Sequence, residues 1–246
     1  MTWISTIAAG LSVGWLINYF ADVLPPSRRL TQPRCGECSR PFTLRNYLLS
    51  LKCPACGACR APRFWIVLAA AVVTTGLLAR FPWSIFGFWA SLPMLVFLGV
   101  IVVIDIEHHL VLMETSLFGL ALCFVYGILL HDLTTVLLGA LGAFLVMLSF
   151  YLLGVVFSRV VSALRKKGLK GAAFGFGDVF AGTFLGMLTG FTPFLGVVLI
   201  ALLTFGACSL IYLLVLFLSK RYQAFANALP FVPFLVFGVV VIFYLP

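Results

Sequence analysis

Gly175-Phe176-Gly177-Asp178 sets a carboxylate at the mouth of an apolar segment, in a chain with only 7 Asp and Glu among 246 residues. Asp105 occupies a matching position at the end of another apolar run, in Val103-Ile104-Asp105-Ile106-Glu107-His108-His109. An ionisable group beside hydrocarbon is costly to keep and marks a candidate functional site. Two carboxylates sharing a partly dry site do not both ionise readily, so one retains its proton. The ionised member of such a pair activates water while the protonated member polarises a peptide carbonyl, and the pair titrates as a unit. Gly175 and Gly177 permit a close approach of backbone to a neighbouring helix or an extended substrate. The start of a helix also favours a nearby negative charge. Asp is at the same time a common helix cap, so Asp178 taken alone reads equally as the boundary of a span.

A second set of residues has the spacing of a metal site. Cys35-Gly-Glu-Cys38 and Cys53-Pro-Ala-Cys56 lie in one polar segment, with fourteen residues between Cys38 and Cys53. Two Cys-x-x-Cys knuckles at this separation close four thiolates around zinc. Four thiolates leave no open coordination position, so the expected role of the zinc is structural. The segment is short and poor in apolar residues, and much of its order would come from the metal. Disulfides are the competing structure, disfavoured in a reducing compartment. Cys59 leaves the fourth ligand open between Cys56 and itself, while Cys123 and Cys208 fall in apolar spans as packing residues. Glu107, His108, His109 and Glu114 are a further metal-ligating group, without the helical His-Glu-x-x-His spacing of a metalloprotease. His131 reads as a surface residue beside Asp132.

The elements that must position these groups follow from composition. With 63% apolar and 9% charged residues, and a mean hydropathy of +1.18, the chain lacks the charged surface of an ordinary soluble domain. A membrane span needs about 20 mostly apolar residues. The pattern predicts an all-α polytopic membrane protein of about eight transmembrane helices, at 3–24, 64–79, 83–104, 114–131, 134–157, 178–191, 193–218 and 229–245. The break near Gly190 to Pro193 is the weakest boundary. The first span has no basic region before it and no small-residue cleavage site, so it reads as a retained helix rather than a signal peptide. Trp3, Trp65 and Trp83 near span ends are expected interface anchors.

Charge supports this count. Eight crossings place 25–63, 105–113, 158–177 and 219–228 on one side. Those segments hold Arg28, Arg29, Arg34, Arg40, Arg45, Lys52, Arg60, Arg63, Arg159, Arg165, Lys166, Lys167, Lys170, Lys220 and Arg221, which is every Lys and Arg but Arg80. The positive-inside rule assigns that side, with both aspartates and the Cys-rich loop, to the cytoplasm. The +9 charge is then accounted for by topology and attraction to membrane lipid, and calls for no nucleic acid. The resulting organisation is a first transmembrane helix over 1–24, a cytoplasmic tetra-Cys zinc-binding domain over 25–63 resembling a zinc ribbon, and a membrane domain of about seven helices over 64–246.

These residues resemble the type IV prepilin peptidases, the leader peptidases of type IV pili and type II secretion. The resemblance rests on the paired Cys knuckles between the first two spans, Ile104-Asp105, Phe174-Gly175-Phe176-Gly177-Asp178, and Pro230-Phe231-Val232-Pro233-Phe234-Leu235 in the last span, similar to that family's Pro-Phe-x-Pro-Phe signature. It implies a membrane aspartic endopeptidase of the bacterial inner membrane that removes a short basic leader from prepilins or pseudopilins at the cytoplasmic face. Asp105 and Asp178 would be the catalytic pair and Gly175 and Gly177 part of the active-site loop. Many members also methylate the new N-terminus with S-adenosylmethionine. The chain departs from the family where Leu110-Val111-Leu112-Met113-Glu114 replaces Leu-Pro-Asp and where Phe180 replaces a Lys. Arg63-Phe64-Trp65-Ile66-Val67-Leu68 lacks the acid linked to methylation, and Asn46 lacks the Pro expected after a matching loop Asn. The alternative is a non-catalytic membrane assembly subunit that uses the zinc ribbon for docking.

Overall fold

The computed structural model describes residues 3–35, 37–43, 46–47, 52–83, 86–165, 175–219 and 229–244. Gly36, Arg45, Lys166, Lys167, Lys170, Phe174, Lys220 and Arg221, which entered the sequence reasoning, lie outside the described residues. Eight helices are present among those described: α1 Trp3–Ser27, α2 Pro62–Arg80, α3 Gly87–His108, α4 Met113–Leu130, α5 Leu133–Arg165, α6 Phe176–Thr189, α7 Phe191–Leu218 and α8 Val232–Tyr244. There is no strand among them, only the isolated antiparallel bridges Arg34↔Pro41 and Lys52↔Cys59 in the Cys-rich segment. The protein is an all-helical, multi-pass membrane protein, and six of the helices are long and apolar enough to cross a bilayer alone.

The eight helices fall where the apolar runs predict them, with two informative differences. α3 does not end at residue 104 but continues one turn to His108, so Asp105 sits inside the helix. α6 and α8 have only 14 and 13 residues, about 20 Å each against a hydrocarbon core of about 30 Å. The uncertain break between α6 and α7 falls on Gly190, whose φ of 79° is a left-handed conformation that favours glycine.

The chain forms two compact units, Met1–Ile104 and Asp105–Pro246. In the first, α1 and α2 pack through a stripe with the small-xxx-small pattern of membrane helix pairs. A Cβ on Gly10 would lie 2.8 Å from the Val72 Cα, and one on Gly14 would lie 3.1 Å from the Leu68 Cα. Asn18 and Asp22 continue the same four-residue period. Buried Asn18 donates from Nδ2 to the carbonyls of Gly14 (2.9 Å) and Phe64 (3.3 Å).

In the second unit α6 is the central element. Val179, Ala181, Phe184, Leu185 and Leu188 have no exposed surface, and α6 packs most closely against α5 and α4. Gly186 carries no side chain because Ala143 and the Gly139 carbonyl fill that space; an added Cβ would lie 2.3 Å from the Ala143 Cβ. A short helix without a polar face is stable only when enclosed in this way.

Candidate active site

Asp178 is the third residue of α6, preceded by Gly175 as its N-cap. The turn is closed reciprocally. The Asp178 N–H donates to the Gly175 carbonyl at 3.1 Å, and the Gly175 N–H donates to Asp178 Oδ2 at 3.1 Å. The capping role open to Asp178 from sequence is therefore realised, through one of its two carboxylate oxygens. Gly177 sits against Val111, in the linker between α3 and α4.

Asp105 arrives from the last turn of α3. Its backbone carbonyl accepts the His109 N–H at 2.9 Å, and His109 then turns the chain with a φ of 50°. Asp105 is 5% exposed and Asp178 9%. Asp105 lies near enough for its charge to act on Asp178, although 73 positions separate them in sequence.

The third contributor comes from the Pro-Phe-Val-Pro-Phe run. Val232 is the first residue of α8, where a backbone N–H has no partner within its own helix. It donates instead to Asp105 Oδ2 at 3.1 Å. Phe231 and Phe234 each pack edge-on against Phe205 of α7, with ring centroids 5.5 and 5.4 Å away. These contacts fix the start of α8. The run was recognised as a signature, but its donor role was not legible, because a backbone amide leaves no mark in the residue pattern.

The four cysteines form a separate centre in the first unit. Their sulfurs all lie within 4.8 Å of one another, with Cys35 Sγ 3.8 Å from Cys56 Sγ and Cys38 Sγ 3.7 Å from Cys53 Sγ. Tetrahedral zinc with bonds of about 2.3 Å requires sulfur separations of about 3.8 Å, whereas a disulfide requires about 2.05 Å. The set therefore fits a tetrathiolate metal site. The two knuckles repeat one backbone design. Ser39 and Gly57, each four residues after the first Cys of its knuckle, donate N–H to the Cys35 and Cys53 carbonyls at 2.9 Å, and both have positive φ. The amides of Cys56 and Ala55 hold the Cys53 thiol down to about 6. Cys56 belongs to the cluster and Cys59 does not. Glu107, His108, His109 and Glu114 do not converge into a comparable group among the described residues.

Asp22, an acid passed over in the sequence, anchors this module to α1. The Tyr47 hydroxyl donates to Asp22 Oδ2 at 2.6 Å, and Arg63 pairs with Asp22 Oδ1. Burial, aided by the Asp22 charge, pushes the Tyr47 phenol above its ordinary value and keeps it a donor. The Arg60 guanidinium lies over the rings of Phe64 and Tyr47, 4.2 and 4.5 Å from their centroids.

This is a helical membrane protein with two buried aspartates gathered around helix termini and a four-cysteine centre on a separate module. Residues 92–211 match the model of the type IV leader peptidase family. Both aspartates fall inside the match, and over that segment the chain is similar to this family of peptidases. No curated protein and no solved structure matches the chain.

Proposed function

We propose that the chain is an aspartic endopeptidase that removes the short basic leader from prepilins or pseudopilins, with Asp105 and Asp178 as the catalytic pair. The observation that carries this is a pair of buried carboxylates from distant segments of the family-matched region, with Asp178 within range of the Asp105 charge. A pair sharing one proton serves both halves of peptide hydrolysis. The ionised carboxylate takes a proton from water as the water oxygen attacks the scissile carbonyl carbon. The protonated carboxyl hydrogen-bonds the carbonyl oxygen as negative charge develops there. Collapse of the tetrahedral intermediate breaks the C–N bond, and the leaving amine takes up the proton. Gly175 and Gly177 form the active-site loop; Gly175 leaves its backbone bare toward an extended substrate, while Gly177 meets Val111.

The placement of basic residues supports a bacterial inner-membrane protein with this site and the cysteine module at the cytoplasmic face. The substrate then keeps its basic leader in the cytoplasm and its apolar stretch in the bilayer. Structural zinc on Cys35, Cys38, Cys53 and Cys56 fixes the module, and metal analysis of the purified protein is expected to give one zinc per chain. The acid linked to methylation in the family is absent from 63–68, which weighs against an accompanying methyltransferase activity. The Gly175 cap on Asp178 favours a second reading, a non-catalytic assembly subunit in which that aspartate is structural.

Mass measurement of a prepilin co-reconstituted with the protein decides between them. The peptidase predicts loss of the leader mass, and the mass of the mature N-terminus separately shows whether a methyl group has been added. Stable capture of an uncut prepilin would support the assembly subunit instead.

A further inference from the structure

The segment between α3 and α4 departs from the family pattern at Leu110-Val111-Leu112-Met113-Glu114, and it touches the Gly175–Asp178 turn directly. A Cβ placed on Gly177 would lie 2.6 Å from the Val111 Cβ, 2.9 Å from its Cγ2 and 3.4 Å from its backbone nitrogen. Val111 thus occupies the space that any larger residue at 177 would require. The segment carrying Val111 is itself tied down at both ends. His109 N–H is bound to the Asp105 carbonyl at 2.9 Å. Leu112 is the N-cap of α4, and its carbonyl accepts the Ser116 N–H at 2.9 Å and the Thr115 hydroxyl at 2.8 Å. Only Leu110 and Val111 lie between these two anchors, and Gly177 directly precedes Asp178.

We infer that Val111 is a positioning residue, which sets the Asp178-bearing turn against the segment following Asp105 through contact of its Cβ with Gly177. The inference rests on Asp105 and Asp178 being the reacting pair. The contact is between a backbone-fixed Cβ and a glycine, so rotation of the valine side chain does not relieve it. Restoring ordinary contact in a Gly177→Ala chain requires a shift of about 1 Å, and a displacement of that size at a reacting group costs about 100-fold in rate.

The geometry makes an unequal prediction for two second-site changes. Val111→Ala keeps the Cβ that lies 2.6 Å away, whereas Val111→Gly removes it and leaves the backbone nitrogen, at 3.4 Å, as the nearest atom. The test compares wild type, Gly177→Ala, Val111→Gly, Gly177→Ala/Val111→Ala and Gly177→Ala/Val111→Gly in proteoliposomes. Prepilin cleavage is assayed below the thermal midpoint of each variant, and the midpoint itself is recorded. Gly177→Ala is expected to lower kcat about 100-fold with KM unchanged, and to lower the midpoint. Adding Val111→Gly is expected to recover at least tenfold in kcat and part of the midpoint, while adding Val111→Ala recovers neither. Equal rescue by both, or rescue by neither, would overturn the inference. If the wild type cleaves no prepilin, the peptidase assignment fails, and the midpoints still decide whether the Val111 Cβ meets residue 177 as described.

Discussion

Asp105 shows how a buried carboxylate is held by groups that sequence does not connect. Its Oδ2 takes the Val232 amide, and no side chain is needed for that bond. Val232→Pro removes this donor without breaking the helix, because proline is well accommodated at its first position, and Val232→Ala controls for the lost packing of a fully buried side chain. Loss of one hydrogen bond to a charged group is worth about 1.5–3 kcal/mol. The variant is therefore expected to lose roughly 10- to 100-fold in kcat for prepilin cleavage, while Val232→Ala, which keeps the amide, stays near wild type. Asp132 gives a contrasting case at the exposed start of α5. The Thr134 and Thr135 hydroxyls, with the Thr135 amide, hold its carboxyl down to about 2. A depressed folded value stabilises the fold above the ordinary carboxylate range, and that contribution is lost as pH falls toward 2. Asp132→Ala is expected to lower the midpoint at pH 7, with the gap to wild type closing on acidification in thermal scans across pH. Asp105, Asp178 and the four cysteines were legible in the sequence because carboxylates in apolar runs and paired Cys-x-x-Cys knuckles are rare patterns. Asp22, Val111 and Val232 were not, because their roles depend on partners brought together only by folding.

Helices were legible for the reason that dominates in membranes: each buries its own backbone hydrogen bonds and advertises itself as an apolar run. The break at Gly190 and the short connection between α2 and α3 both carry turn residues, and both were placed within a few positions. What apolar content did not distinguish is a helix facing lipid from one enclosed by protein. α6 reads as one more span, yet it is a 14-residue core helix, while the face of α7 that is exposed is also apolar. Glycines separate the two cases. A Cβ on Gly139 would lie 2.3 Å from the Gly186 carbonyl oxygen and 3.0 Å from the Gly190 Cα, whereas one on Gly206 meets nothing within 4 Å. Gly139→Ala is expected to cost about 1–3 kcal/mol through overpacking of backbone on backbone. Gly206→Ala is expected to leave stability unchanged or slightly raised, since alanine favours a helix. Unfolding of each variant in detergent measures the difference.

The two kinds of chemistry belong to different units: the tetrathiolate centre to Met1–Ile104, and the aspartates to Asp105–Pro246. The cysteine module is linked to α1 and α2 by the Asp22, Tyr47 and Arg63 contacts. The central claim, that Asp105 and Asp178 hydrolyse the leader peptide bond, is tested most directly by the rate of prepilin cleavage in reconstituted membranes. Wild type, Asp105→Asn and Asp178→Asn are compared, each replacement keeping the shape of the side chain and removing its proton chemistry. Positioned acid–base groups contribute about 100- to 10,000-fold, so each variant is predicted to lose at least about 100-fold in kcat while remaining folded. Wild-type kcat in either variant would contradict the account.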